Sequence, residues 1–264
     1  MADSGQATSE SFGEEKKTIE NINIKTESKM KIEIWSDVMC PFCYIGKRKF
    51  ETALNQFADK NNIEIEWKSY QLMPELEKGV INDLERMLVE RRGIDPAQAK
   101  AMNAQVAQAG KQVGLEFNFD KTLAVNTLDA HRFLHFAKAN GKQNEAEEIL
   151  FRSYFTDGKN IGDFATLIQL GTSIGLDAGA LKEVLENGSY AEEVRADIYE
   201  AQQAGVRGVP FFVFNRKYAV SGAQDPQAFL QTLEKSFSEW KKDNPEAKLD
   251  IIDGQICTPD GKCD

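Results

Sequence analysis

Lys31-Ile32-Glu33-Ile34-Trp35 runs through Ser36-Asp37-Val38-Met39 into Cys40-Pro41-Phe42-Cys43. In the first five residues isoleucine alternates with charge, at the period of two that a half-buried strand requires. Downstream, Phe50, Ala53, Leu54 and Phe57 recur at helical spacing, with lysines and polar residues between them. The cysteine pair therefore stands where a strand turns into a helix. Cys40 falls at or before the first helical turn, where unpaired backbone N–H groups and the positive end of the helix dipole favour a thiolate. Pro41 suits the first helical position, where its missing N–H is no loss. Cys43 follows three residues later, close enough to attack a mixed disulfide on Cys40. The stretch reads as a thiol–disulfide site.

Two other readings of the pair stay open at this point. C-x-x-C is also half of a tetrahedral zinc site, and Cys257 with Cys263 would complete four sulfur ligands. The five-residue gap between Cys257 and Cys263 is looser than zinc knuckles use. Alternatively, the two small residues simply pack. Strand–C-P-x-C–helix is the context the redox motif needs, and it favours redox chemistry.

Composition narrows the function classes. A chain of 264 residues, 41% of them hydrophobic, can build a sizeable core in one large domain or two small ones. The net charge of −10, from 42 acidic and 32 basic side chains, argues against nucleic acid or an anionic membrane as partner. No apolar run approaches the ~20 residues of a membrane span. Residues 1–29 are rich in Ser, Glu, Lys and Thr, carry no apolar signal-peptide core, and read as a disordered leader. The expected location is the cytoplasm, where a cysteine pair is more often catalytic or metal-binding than a structural staple.

The rest of the chain sets the domain plan. Ile63 to Tyr70 alternates again, one crossover helix after the first strand, and predicts a parallel, right-handed βαβ unit. From 80 to 204 the strand signal disappears and capped helices follow one another. Asp95-Pro96 opens one, Asn126 caps a second, and Asp163 caps another. Glu145 to Tyr154 is helical around Ile149, Leu150 and Phe151. The sheet resumes at Phe211-Phe212-Val213-Phe214, turns at Asn215-Arg216 and returns through Lys217 to Ser221. Asp225-Pro226 opens a last helix with Phe229, Leu233 and Phe237 on one face. Pro210, at the lip of the central strand, is either a cis proline in a tight turn or an ordinary loop proline.

Three groups of residues carry the match to a known family. They are Trp35 to Cys43, then Asn126-Thr127 with Ala130-His131-Arg132, and Gly205-Val206-Arg207-Gly208-Val209-Pro210. With them, the chain resembles the DsbA family of the thioredoxin superfamily, and within it the FrnE-like branch. The resemblance implies an α/β, thioredoxin-like fold with a large inserted all-helical domain. Its parts are a thioredoxin-like domain from 30–79 and 205–243, the insertion at 80–204, and a C-terminal tail at 244–264. It further implies Cys40 as nucleophile, Cys43 as resolving cysteine and Pro210 as a cis-proline facing them. Pro41, Phe42 and Val209 become candidate substrate-binding residues, with the Val209 backbone offered to an extended peptide as an added strand. The branch's usual Pro-Trp between the cysteines is Pro-Phe here, so the redox poise does not carry over.

The expected function is thus a protein-disulfide oxidoreductase whose electrons reside on cysteine, with no bound cofactor and no metal. Its expected partners are protein or peptide thiols and disulfides, with glutathione a further candidate. Cys257 and Cys263, around the turn sequence Pro259-Asp260-Gly261, are a candidate second redox pair. Competing readings are a glutathione-dependent small-molecule isomerase or transferase of the same fold, a zinc-bound protein and a chaperone-type binder. Asp37 reads as a turn carboxylate more than a proton shuttle. His131 and His135, spaced i, i+4 on one helix, could ligate a metal but lack a third ligand nearby. A packed, hydrogen-bonded His131 is the simpler expectation, although the resemblance would turn His131 and Arg132 toward a cleft between the domains.

Overall fold

Strand β1 (Met30–Ser36) and strand β2 (Ile63–Ser69) lie in parallel, with helix α1 (Pro41–Gln56) crossing between them. The structure is a computed structural model and describes residues 29–245. Parallel neighbours cannot be joined by a tight turn, so the helix is obligatory. Ser36 pairs with Ser69, which brings both strands to an end at the same level. The cysteine turn emerges there, at the carboxyl edge of the sheet.

The chain then leaves the sheet. It forms β3 (Asn82–Asp83), α2 (Leu84–Arg92), α3 (Pro96–Lys111) and β4 (Leu123–Ala124). Five more helices follow: α4 (Leu128–Ala139), α5 (Gln143–Phe155), α6 (Phe164–Ser173), α7 (Ala178–Asn187) and α8 (Ala191–Gln203). It returns as β5 (Phe211–Phe214), β6 (Tyr218–Ser221) and α9 (Pro226–Asp243). The main sheet has the order β2-β1-β5-β6, with β5 antiparallel to both neighbours. This is a thioredoxin-like, mixed sheet interrupted by a helix-rich insertion.

Aspartates start many of these helices. Asp83, Asp95, Asp163, Asp177 and Asp225 each accept a first-turn backbone N–H. At Asn126 the expectation shifts by one residue: Thr127 is the N-cap, and Asn126 Oδ1 accepts the Leu128 N–H at 2.9 Å. Two features escaped the pattern. Helix α2 buries none of its residues, so no apolar stripe announces it. The two-residue pairing of β3 with β4 adds a small bridge to the otherwise helical insertion and is too short to show alternation.

Two apolar cores share α1. Toward its C-terminal half, Phe50, Ala53 and Phe57 pack with Ile32 and Ile34 of the sheet and Phe229, Leu233 and Phe237 of α9. Toward its N-terminal end, Cys40, Cys43 and Tyr44 pack instead with Phe133, Phe151 and Phe155 of the insertion. Tyr44 stacks on Phe151 with ring centroids 4.8 Å apart and donates its hydroxyl to Glu148 at 2.7 Å. One helix thus joins the sheet to the insertion.

The charged side of β1 and β2 is not the half-exposed face that their alternation predicts. Glu33 and Glu66 are 2% and 6% exposed, because α4 and α8 cover that face. Each carboxylate meets cations: Glu33 pairs with Arg216, and Glu66 with Lys31 at 2.8 Å and with Lys138 of α4. Lys68 sits among them, 3.1 Å from Asp197 and 3.0 Å from Glu200 of α8. Burial would raise the Glu66 carboxyl, but hydrogen bonds from Lys138 and Lys31 and the Lys68 charge outweigh it and hold it at about 2.

A lowered folded-state pKa stabilises the protein above the unfolded value of 4.5 and ceases to do so as pH falls toward about 2. In denaturant titrations across that window, the wild type loses stability with acid, and Glu66→Gln flattens the loss. At neutral pH, Glu66→Gln is less stable by about 2 kcal/mol, the scale of a broken, partly screened ion-pair cluster.

Candidate active site

Cys40 is the N-cap of α1, with extended backbone angles (φ −91°, ψ 111°), and Pro41 occupies the first helical position. Its N–H donates to the Asp37 carbonyl at 2.9 Å, and its own carbonyl accepts the Cys43 N–H at 3.0 Å. The first turn carries no acidic residue, so no carboxylate competes for the helix's positive end. Both cysteines are free thiols. Cys40 is 5% exposed, Cys43 is fully buried, and Phe42 between them is 48% exposed.

Opposite the thiols lies the turn before β5. The Val209–Pro210 peptide is cis, and Cys40 Sγ donates to the Val209 carbonyl at 3.6 Å. The Pro210 carbonyl accepts the Gly222 N–H at 2.8 Å, which ties this turn to the end of β6. Gly46 of α1 makes the approach possible, since a Cβ there would stand 2.9 Å from Pro210 Cγ and 3.4 Å from Phe212 Cζ. The folded chain therefore brings together Cys40, Pro41, Phe42, Cys43, Val209 and Pro210. Cys257 and Cys263 lie outside the described residues.

Burial pushes the Cys43 thiol well up, reinforced by its hydrogen bond to Cys40 and that group's charge. The Asp37 backbone and the Ser36 hydroxyl pull the other way. Beneath Ser36 is a pocket of polar groups that sequence reasoning did not assemble. Ser36 donates its hydroxyl to Glu147 Oε1 of α5 at 2.8 Å. Burial lifts the Glu147 carboxyl to about 7, against the Ser36 hydrogen bond and the charges of His131 and Lys47. Among the described residues, Glu147 Oε2, His131 Nδ1 and the Tyr154 hydroxyl find no hydrogen-bond partner. The signal for Glu147 was present: with Ala146, Leu150 and Tyr154 it lies on the buried stripe of α5, where an acid has no business without a reason.

The remaining candidates sort plainly. Asp37 is completely buried and is a turn carboxylate, accepting the Leu72 N–H at 2.7 Å and the Met39 N–H at 3.4 Å. Its Oδ1 also lies 3.3 Å from His131 Nε2. His131 and Arg132 are 1% and 2% exposed, so neither lines an open cleft. Arg132 instead caps α7, donating to the carbonyls of Val184, Leu185 and Ser189. His135 turns to Ser69 at 3.2 Å and Asp197 at 3.1 Å, away from His131's partner. Among the described residues no group of three or more His, Cys, Asp or Glu could hold a metal ion. No helix among them is long and apolar enough to cross a membrane.

Comparison with known proteins adds the following. The model of the DsbA-like thioredoxin domain matches residues 31–234. A probable DsbA oxidoreductase from Streptomyces coelicolor, known from a crystal structure, is 36% identical with a TM-score of 0.76, over 89% of this chain and 98% of its own. The Bacillus subtilis protein YwbO is 29% identical over 215 residues, 80% of this chain and 97% of that protein. A 2-hydroxychromene-2-carboxylate isomerase aligns over 83% of this chain and all of its own with a TM-score of 0.57, but at 13% identity it shares the fold alone.

The close seat of Pro210 on α1 gives a direct test of the geometry. Gly46→Ala inserts a methyl group where the nearest atom is 2.9 Å away, so α1 and the Val209–Pro210 turn must separate. The variant should lose about 1–3 kcal/mol in denaturant unfolding, and its Cys40 should react faster with alkylating agents.

Proposed function

The chain belongs to the DsbA-like thioredoxin domain family, and from that premise we propose that it is a thiol–disulfide oxidoreductase acting on proteins or peptides. The fold alone does not decide the reaction, since a small-molecule isomerase shares it. The observation that carries the reading is the pair of thiols in the first turn of α1, one under the Val209 carbonyl and the other fully buried behind it.

Cys40 is the nucleophile. Its thiolate attacks one sulfur of a substrate disulfide, the other substrate sulfur leaves as a thiolate and takes a proton, and a mixed disulfide forms on Cys40. The Cys43 thiolate then attacks Cys40 Sγ. The second substrate sulfur leaves, the Cys40–Cys43 disulfide forms, and two electrons have passed to the substrate. Run backwards, the oxidised pair oxidises a substrate dithiol. Both directions use the cysteines as the electron store, and no further cofactor enters.

The helix N-terminus favours the negative charge that collects on the Cys40 sulfur as attacker and as leaving group. Val209 and Pro210 face that sulfur, and the Val209 backbone suits an extended peptide added alongside. Exposed Phe42, with Pro41, supplies an apolar surface for the same peptide. We place the reaction in the cytoplasm, because the described cysteines are both in the motif and the fold needs no disulfide staple. Cys257 and Cys263 are proposed as a second pair exchanging electrons with Cys40 and Cys43.

Replacing Cys40 with Ser should reduce disulfide reduction to background; retained activity overturns the assignment. In Cys43→Ser the first step survives and the mixed disulfide accumulates. Tryptic mass spectrometry of that variant without substrate should find Cys40 joined to the tail, and its absence removes the second-pair role.

A further inference from the structure

The path assigned to the substrate peptide passes one charged side chain that no contact of the fold uses. Arg207 stands three residues before Pro210, on the segment whose Val209 carbonyl takes the Cys40 thiol. It is exposed, and no hydrogen bond or ion pair holds its guanidinium among the described residues. That is unusual here, for the chain carries 42 acidic against 32 basic side chains, and most of the described arginines sit on a carboxylate. The carboxylates that precede it most closely in the chain are already taken. Asp197 faces Lys68 and His135, and Glu200 faces Lys68 and Arg216.

The backbone that carries Arg207 is fixed on both sides. Val206 is buried in one cluster with Trp35 and Ala201, and its N–H donates to the Ala201 carbonyl at 2.9 Å. The cis Val209–Pro210 peptide follows and leads into β5. Between them, a Cβ on Gly208 would meet nothing within 4 Å, so this side of the segment is open to an approaching peptide. Arg207 lies two positions from Val209, a backbone span of at most ~7 Å. In an extended chain, the residue two positions along returns to the same face. A peptide paired with Val209, its sulfur on Cys40, thus brings the side chain two residues from its cysteine to the level of Arg207.

We propose that Arg207 selects protein substrates that carry a carboxylate two residues from the reactive cysteine, on the flank that runs from Val209 toward Gly208. The guanidinium is a planar fork of N–H donors and meets a carboxylate with two of them. The net charge of −10 repels acidic partners at long range, so this preference has to come from a local cation that is free to pair. A chain-end carboxylate has the same chemistry, but glutathione ends one residue beyond its cysteine, short of the second position. The acidic side chain of a protein is therefore the source assigned. Arg207 touches neither reacting sulfur; it is a specificity residue of the peptide path.

The inference rests on the redox reading, and the two fail separately. Turnover of an uncharged peptide disulfide by the wild type reports the reading. The ratio of kcat/KM for an Asp-bearing peptide to that for its Asn counterpart reports Arg207. With Asp placed two residues before or after the cysteine, the wild type should give a ratio of about 2–5 on one flank at low salt, the scale of an exposed ion pair. The other flank should give about one or less. Arg207→Ala should remove the difference between flanks and Arg207→Glu should invert it. Arg152→Ala, which alters an exposed arginine on α5 that also has no partner among the described residues, should keep the wild-type ratios. The flank difference should fade as ionic strength rises to about 0.5 M. Glutathione disulfide and its glycine amide should be used with the same relative efficiency by the wild type and Arg207→Ala. If an Arg207 variant does not fold, the wild-type flank difference and its loss with salt decide. Equal ratios on both flanks, a flank difference that Arg207→Ala and Arg207→Glu leave intact, or an effect of Arg207 confined to glutathione overturns the proposal. Failure of the wild type to turn over the uncharged peptide overturns the redox reading instead.

Discussion

A thiol with no exposure and a raised pKa can act only if the protein around it supplies what water would have supplied. That constraint on Cys43 explains why the rest of the structure is built as it is. The sheet places the cysteine turn at its carboxyl edge, and the insertion closes over the back of the turn. Helix α1 is held by both, with its C-terminal half in the core of the sheet and its first turns in the core of the insertion. The insertion is therefore a wall of the reactive site, with its Phe133, Phe151 and Phe155 in one core with Cys43 and Tyr44.

Electrostatics divides along the same lines. Around β1 and β2, the carboxylates of Glu66 and Asp197 meet lysines at close range, which hold both below the usual carboxylate range and fasten α4 and α8 to the sheet. Around α1, Glu148 accepts from Tyr44, Lys47 and Arg48, and these partners hold its carboxyl down at about 2 against its burial. One turn away, Glu147 has none of these partners and lies at about 7. Adjacent glutamates on one helix thus sit in opposite surroundings, one clamped by charged partners and one buried with the Ser36 hydroxyl. The difference lies entirely in which face of α5 each occupies.

The architecture was legible because its signals were local. Alternation in Lys31 to Trp35 and Ile63 to Ser69, aspartates before helices, and Asn215-Arg216 at a hairpin all act over a few residues. The cysteine turn at the head of α1 was legible because a strand-to-helix motif is short, whereas the pattern around Pro210 left cis and loop proline equally open and only the family resemblance set Val209 and Pro210 opposite Cys40. Helix α2 was missed because it buries nothing, and the β3–β4 bridge because two residues cannot alternate. The buried charge of Glu33 and Glu66 was misread as a solvent face because the covering helices are far away in sequence. Glu147 was passed over for a similar reason: its partner Ser36 is 111 positions away, and only folding brings them together.

The central claim is that Cys40 and Cys43 form one redox couple. Its most direct test is a titration in glutathione buffers, with mass spectrometry of alkylated cysteines following each thiol. The account predicts that Cys40 and Cys43 oxidise together as a two-electron couple, with a tenfold change in the equilibrium for about every 30 mV. A stable glutathione adduct on Cys40 with Cys43 still reduced, or two cysteines titrating independently, would contradict it.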